Sequence, residues 1–336
     1  MVTMAEVAEH SGVSSSTVSH VLNGTRYVSD PVRERVEQAV AELGYRRNSA
    51  ARTLAGGRSH TIGLAISGLT NPYFGPLLHA IEQHVSAAGY VLVLGDTHDE
   101  PGMERRVIES LLDRAVDGII IAPSHGFISH GAGLINAAGT PTVVIDRSVD
   151  ARHDELTPEN SVSTEELTAH LIAHGHRRIA AVAGLPGLAS STERLSGYRR
   201  ALEHAGIAPD EALIVPGDSN AEAGERVVLD LLAGARPPTA LVSLNNAMTI
   251  GALRAVRRAG LRVPDDLALV AYDDFEWSDL FEPGLTAVAQ NVSRLGTEAV
   301  DVLFDRIAGD DRPVERRIIP TELRIRNSCG CADAPL

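Results

Sequence analysis

The sequence predicts an α/β protein: a three-helix helix-turn-helix head with a hinge helix, then a two-lobed body of doubly wound parallel sheets. Three observations carry that reading. Cap and stop signals at helical spacing crowd the first 46 residues, short β-rich apolar runs then alternate with helical patterns, and charge is divided unequally between the two regions.

In the head, TMAE offers Thr3 as an N-cap with Glu6 three residues on, a capping box that opens a helix through about His10. Gly12 suits the turn that ends it. Ser14 caps a second helix whose Val18, Val21 and Leu22 share an apolar face, so that Ser15, Ser16, Thr17 and His20 point elsewhere. Ser29 or Asp30, with Pro31 in the first turn, starts a third helix along the stripe Val32, Val36, Ala39, Val40 and Leu43, and Gly44 stops it. Helices joined by so short a turn make a helix-turn-helix unit.

A core helix has no use for Ser14, Ser15, Ser16, Thr17, Ser19, His20 and Asn23 in one run. A helix lying in a DNA major groove does. Short hydroxyl side chains let it approach closely and bond to bases or phosphates, and an imidazole can donate to a purine N7 or O6. The expected division of labour has Ser15, Ser16 and His20 at base edges and Thr17, Asn23 and Arg26 on phosphates. Next, Asn48 can cap a short helix containing Ala50, Ala51 and Leu54 that Gly56-Gly57 ends. Eight residues cannot hold a helix alone in water, so this hinge must fold against its twin in a dimer or a DNA minor groove. The candidate DNA-contacting set is therefore Thr3, Ser14, Ser15, Ser16, Thr17, His20, Asn23 and Arg26, with Asn48, Ala51 and Leu54 in the hinge.

The charge balance agrees. Of 336 residues, 30 are basic and all of those are arginine, against 44 acids. Residues 1–58 hold seven arginines and six acids, a net of +1, which leaves the remainder at −15. A near-neutral head on an acidic body permits local DNA binding and discourages indiscriminate binding by the rest. Met1 leads into polar sequence with no secretory apolar segment, no run is long enough to span a membrane, and two cysteines build no disulfide framework. The chain reads as cytoplasmic.

In the body, TIGLAIS, YVLVLGD, GIIIAP, TVVID, RIAAVAG, ALIV, ALVSLN and DLALVAYDD read as strands separated by helical patterns such as Tyr73–Ala88 and Asn246–Ala259. These are enough for two parallel sheets and so two lobes. Ligands of such sheets bind beyond the carboxyl ends of strands. Here those ends are Ser67, Asp96, Asp146-Arg147, Asn245-Asn246 and Asp273-Asp274. Carboxylates, amides and a guanidinium suit a polyhydroxylated ligand, whose hydroxyls each donate and accept.

Taken together, MAEVAEHSGVSSSTVSHVLNGTRYVSDPVRERVEQAVAELGYRRNSAARTLAGGRSHTIGLAIS, NPYF, DGIIIAPS, VVIDR, HLIAHGHRRIAAVAG, RLSGYRRAL, RPPTALVSLNNAMTIGALRAVRRAGLRVPDDLALVAYDDF and LTAVAQ resemble, in order and over nearly the whole chain, the lactose/galactose repressor (LacI) family of transcriptional regulators. TVSHVLN and TRYV are similar to its purine repressor branch. The resemblance implies lobes like those of periplasmic sugar-binding proteins, with crossings near Glu159, Val288 and Pro320. The resulting domains are 1–46 (head), 47–58 (hinge), 59–158 with 288–319 (first lobe), 159–287 with 320–329 (second lobe) and a 330–336 tail.

It also implies ligand positions at Asp146, Arg194, Asn245 and Asp273, with Tyr73 and Phe74 on the first-lobe rim and Leu54 as a minor-groove wedge. With Ser67, Arg147 and Trp277 these make up the candidate effector set. Trp277 is either a stacking face for the ligand or an apolar plug under its loop, and Asp274 is as much a capping residue as a contact. Ser219 stands where the family often has a stacking aromatic, Leu188 where the purine repressor has an arginine, and Asn246 where an aspartate is usual. The first two departures argue against a flat purine and leave a sugar or sugar derivative as the expected effector. With no heptad pattern after LRIRNSC, the chain is expected to act as a homodimer on a near-palindromic operator.

Rival readings are weaker. The first strand ends in ISGLTNPYF, not G-x-G-x-x-G, and neither a P-loop nor a G-x-S-x-G elbow occurs, so no cofactor and no enzymatic activity are expected. His170 and His174 lie one helical turn apart with His176 just beyond, but no third ligand or glutamate base sits at the spacing of a catalytic metal motif. Cys329 and Cys331 form a C-x-C in a tail without a second pair or a nearby histidine, so neither cluster is assigned a metal. The remaining alternative is a ligand-binding module of the periplasmic-binding-protein type whose head contacts a protein.

Overall fold

The structure, a computed structural model, describes residues 2–24, 26–45, 58–68, 71–149, 152–280 and 282–331. The chain divides into two units, residues 1–59 and 60–336. Among the described residues no helix is long and apolar enough to cross a membrane.

The first unit holds α1 (Met4–Ser11), α2 (Ser15–Asn23) and α3 (Asp30–Leu43). Both arms of the α1 capping box form: the Glu6 amide donates to Thr3 Oγ1, and the Thr3 amide to Glu6 Oε2 at 2.6 Å. Ser14 Oγ accepts the Thr17 amide at the head of α2. Val7, Ala8, Val18, Val36 and Ala39 close a small core beneath Val21, Leu22, Val40 and Leu43. His10 and Glu42, 2.8 Å apart, tie α1 to α3.

The second unit contains two six-stranded sheets among its described residues. The first is built from β1 (Thr61–Ile66), β2 (Val91–Asp96), β3 (Gly118–Ile121), β4 (Thr142–Ile145), β5 (Asp154–Pro158) and β11 (Arg316–Ile319), in the order β11-β5-β4-β3-β1-β2. Its pairings are all parallel. The second uses β6 (Ile179–Ala183), β7 (Ile214–Pro216), β8 (Ala240–Ser243), β9 (Ala268–Tyr272), β10 (Thr286–Gln290) and β12 (Thr321–Arg324), in the order β12-β10-β9-β8-β6-β7. Only its edge strand β12 runs antiparallel.

The central strands are buried on both faces, as helices on either side require: Ile119–Ile121, Val143–Ile145, Leu241–Val242 and Leu269–Ala271 are wholly buried. The covering helices include α4 (Phe74–Ala87), α5 (Pro101–Asp113), α6 (Phe127–His130), α7 (Ala132–Ala138), α8 (Ser161–Ala173), α9 (Ala189–His204), α10 (Ala221–Leu232), α11 (Asn246–Arg258) and α12 (Val292–Ala308). Gly197 lets α9 lie against α8, since a Cβ there would stand 2.2 Å from the Ser161 carbonyl oxygen.

Among the described residues the chain passes between the lobes three times: at Glu159-Asn160 after β5, between β10 and α12, and at Pro320 between β11 and β12. The second passage differs from the expected one. Val288 lies inside β10, paired with Tyr272 and Leu323 in the second sheet, and the strand continues to Gln290. Asn291 then caps α12, whose Leu295, Ala299, Val300 and Leu303 pack with Leu77 and Ile81 in the first lobe. The crossing is therefore at Asn291, because ladder pairing holds the whole apolar run in one sheet.

Candidate functional site

On the head, α2 presents Ser14, Ser15 and Ser16 exposed at its N-terminal end, with Thr17 and His20 half-buried behind them. Ser14 Oγ lies 2.7 Å from Ser16 Oγ and 2.9 Å from Thr17 Oγ1, so part of this hydroxyl cluster is already engaged in capping. Thr3 is likewise committed to its capping box. Arg26 is exposed just beyond α2, and the Asn23 side chain is outside the described atoms. Asn48, Ala51 and Leu54 lie outside the described residues. Sequence reading passed over Tyr27, which stands 84% exposed in the loop after α2. Its signal was available, for an aromatic outside every helical stripe has no core to enter.

In the second unit, a cavity of about 530 Å³ opens between the two lobes at the carboxyl ends of their strands. That volume suits a small polar molecule. Ser67, Tyr73, Phe74, Asp146, Arg147, Arg194, Asn245 and Asp273 all line it, so eight residues read from distant stretches meet in one place.

Asp146 and Arg147 follow β4. Arg147, buried, grips Asp99 with both Nη atoms, donates to the Pro123 carbonyl at 3.0 Å and reaches Ser67 Oγ at 3.4 Å. Burial disfavours its charge, but Asp99 and Asp146 outweigh that and hold the guanidinium more firmly protonated than usual. Arg147 thus braces the first-lobe wall from within.

The second lobe carries the mirror arrangement. Arg194 on α9 donates from Nε to Asn160 Oδ1 and from Nη1 to the Leu244 carbonyl, each at 2.8 Å. Its guanidinium carbon lies 3.7 Å from the centre of the Tyr272 ring. Nη2 takes part in neither hydrogen bond. Asp273 accepts the Asn246 amide at 3.1 Å and Gln290 Nε2 at 2.5 Å, with Arg194 Nη1 4.0 Å away. Burial pushes the Asp273 carboxyl above its ordinary range, and Arg194, Gln290 and Asn246 hold it back only in part. The Tyr73 phenol is likewise held far above its usual range, by burial and then by Asp146 and Asp273.

Asn245 spends its side-chain oxygen capping α11 through the Met248 amide, so its amide oxygen has a structural task. Asp274 is committed more fully, bound by Arg326 at 2.8 Å and Arg324 at 3.0 Å, and it lies outside this cavity. Trp277 does not join the others. It stacks on Phe275 at 4.2 Å and faces a separate cavity of about 760 Å³, which touches the cleft only through Pro72, Tyr73, Asp273 and Gln290. The loop after β9 carries it past the strand ends, away from the cavity that Arg194 lines.

Sequence reading missed Asp99, Asn71, Ser190 and Gln290 in the cleft wall. Gln290 ends β10 and was within reach of the strand-end rule; the other three sit on loops or a helix start that no periodicity marks. Leu188 and Ser219, where a purine reader would carry an arginine and an aromatic, both line the cavity.

The metal reading needs correction. Sequence spacing gives the histidine pair no further ligand and the cysteine pair no histidine, but the fold brings the two pairs together. Cys331 Sγ lies 3.4 Å from His170 Nε2 and 3.2 Å from His174 Nε2, and Cys329 is fully buried.

Comparison with known proteins agrees with both units. Residues 3–48 match the model for bacterial regulatory proteins of the lacI family, and residues 168–329 match a periplasmic binding protein-like domain. The chain is 34% identical over 331 residues, 98% of each chain, to the HTH-type transcriptional repressor PurR of Pasteurella multocida. It is 35% identical over 308 residues, 91% of this chain and 93% of the other, to the ribose operon repressor of Escherichia coli. Among solved structures it is similar to the lac repressor dimer bound to operator and the anti-inducer ONPF, with TM-score 0.86 and 31% identity over 98% of this chain and 99% of that one. With a matching head, a matching body and relatives aligned over almost their whole length, the chain belongs to the LacI family of bacterial regulatory proteins.

Proposed function

We propose that the protein is a transcriptional repressor that binds a near-palindromic operator as a homodimer and responds to a sugar or sugar derivative held between its lobes. The head supplies the DNA contact through Ser15, Ser16, His20 and Arg26. A two-fold dimer suits two half-sites, and the similar lac repressor is described as a dimer on operator.

One observation carries the effector reading: the cleft pairs a carboxylate with a guanidinium in each lobe, Asp146 with Arg147 and Asp273 with Arg194, around a wall that includes Leu188 and Ser219. Buried carboxylates and amides can accept and donate with successive sugar hydroxyls. A planar base needs a stacking face and a donor at its carbonyl edge, and those two positions hold an aliphatic and a hydroxymethyl side chain. Sequence identity is nearly equal toward the purine and ribose operon repressors, so the reading rests on the cleft lining.

A panel of pentoses, hexoses, disaccharides and free purine bases, read by thermal shift and by release of an operator fragment, tests the proposal. A sugar that both stabilises the protein and changes operator affinity is the expected result. A purine base that does so, with every sugar inert, overturns it.

A further inference from the structure

Two short motifs far apart in sequence converge in the second lobe, away from the cleft residues described above. On α8, His170 and His174 stand one turn apart, their ring centres separated by 4.6 Å. After β12 the chain is drawn in beside them. The Ser328 amide donates to the Gly284 carbonyl at 2.9 Å and its hydroxyl to the Leu269 carbonyl at 2.5 Å, which buries Cys329 completely. Gly330 then adopts φ +91°, a left-handed turn that brings the Cys331 sulfur back to 3.0 Å from that of Cys329. One ligand atom each from His170, Cys329 and Cys331 falls within 4.8 Å of the others, and His174 Nε2, outside that trio, lies 3.2 Å from Cys331 Sγ.

We propose that His170, His174, Cys329 and Cys331 form a tetrahedral zinc site that pins the C-terminal segment to α8. The donor set is two thiols and two imidazoles with no carboxylate, the combination that favours zinc over hard oxygen-loving cations. An i, i+4 histidine pair on a rigid helix and a chelating C-x-C turn each supply two ligands with little conformational freedom left to lose. Zinc–sulfur bonds of about 2.3 Å place two sulfurs about 3.8 Å apart in a tetrahedron, so the observed sulfur separation need widen by less than an ångström. Thr286 Oγ1, 3.3 Å from Cys329 Sγ, is placed to donate to that sulfur as a supporting hydrogen bond. Half-exposed His170 and exposed His174 leave the metal a way in.

Cobalt(II) added to the reduced, metal-free full-length protein reports the geometry directly. One equivalent per chain is expected, with a thiolate-to-cobalt charge-transfer band and the strong visible absorption of a tetrahedral ion, both removed by zinc(II). His174→Ala, a change at an exposed side chain, should weaken cobalt binding about ten-fold or more, since losing even a ligand's supporting hydrogen bond costs that much. Cys331→Ser should reduce the charge-transfer band, with circular dichroism confirming that both variants remain folded. Wild-type protein without a charge-transfer band overturns the proposal. So does equal binding by both variants, or a reduced protein that takes no metal and instead oxidises to a Cys329–Cys331 disulfide.

Discussion

Asp146 and Asp273 hold the same place in the two lobes: each directly follows a strand flanked by two parallel neighbours, β4 and β9, and each has a left-handed backbone, with φ of +66° and +80°. Left-handed φ is unfavourable for residues with a side chain, and aspartate is among the few that tolerate it. Repetition of that conformation at the equivalent strand end gives both carboxylates a common purpose. Each is turned into the cleft, where Arg147 and Arg194 accompany them.

Asp146→Asn and Asp273→Asn should therefore lose effector affinity while keeping the backbone turn, because asparagine also accepts left-handed φ. Loss of a charge-assisted hydrogen bond costs about 1.5–3 kcal/mol, or about 10- to 150-fold in Kd. Calorimetry with the effector and a gel shift without it separate the two functions. Unchanged effector affinity in both variants would place the ligand elsewhere.

On the head, His20→Ala should cost about 1–3 kcal/mol on the cognate operator and relax the preference at one base position. Binding to random DNA should change far less. If affinity falls equally on both, the imidazole positions the helix and reads nothing.

What the sequence revealed and what it hid follow from the range of the forces involved. Thr3, Glu6, Ser14 and Gly44 act within one turn of helix, so their caps and stops could be read from neighbours alone. The ends of β4 and β9 were legible because an apolar run that stops at Asp-Arg or Asp-Asp marks where a buried strand emerges. Trp277 was ambiguous in sequence because the path of its loop depends on the stacking contact with Phe275, which periodicity does not encode. The convergence of His170 with Cys331, 161 residues apart, depends on β12 lying at the edge of the second sheet beside β10, a matter of topology. Read separately, each pair lacked ligands that only the fold supplies.

Acid stability should depend on Asp154. Arg306 donates to it at 2.7 and 3.0 Å and the Glu315 amide at 3.0 Å, while the carboxylate itself is buried. Burial pushes its pKa up, but these donors prevail and leave it below the ordinary aspartate value. A lowered folded-state pKa means that the stabilisation is complete above that value and is lost as pH falls below it toward the folded pKa. Asp154→Asn should flatten that part of the acid-unfolding profile. Arg306→Met leaves the carboxylate buried without its cation and should cost about 3–5 kcal/mol in denaturant titrations at neutral pH. A loss below about 1 kcal/mol, the worth of an exposed pair, would mean that the site admits water freely.

Closure of the lobes should be sensitive to a contact between His125, in the loop after β3, and Gly187, in the loop between β6 and α9. His125 Nδ1 lies 3.0 Å from the Gly187 carbonyl oxygen, joining the first lobe to the second. Gly187 has φ +85°, and a Cβ added there would stand 2.3 Å from that same nitrogen. His125→Ala removes only the hydrogen bond, worth about 0.5–1.5 kcal/mol. Gly187→Ala removes it by collision and adds backbone strain of about 1–3 kcal/mol. A contact that exists only with the lobes together slows ligand escape more than ligand entry, so both changes should act on the off-rate. Stopped-flow measurement of effector release should show His125→Ala faster by about two- to ten-fold and Gly187→Ala faster still. Association rates should hold nearly constant. Release at the wild-type rate in both variants would mean that the lobes close around the ligand without this contact, leaving the Arg316–Glu193 ion pair at 3.3 Å as the bridge to remove next.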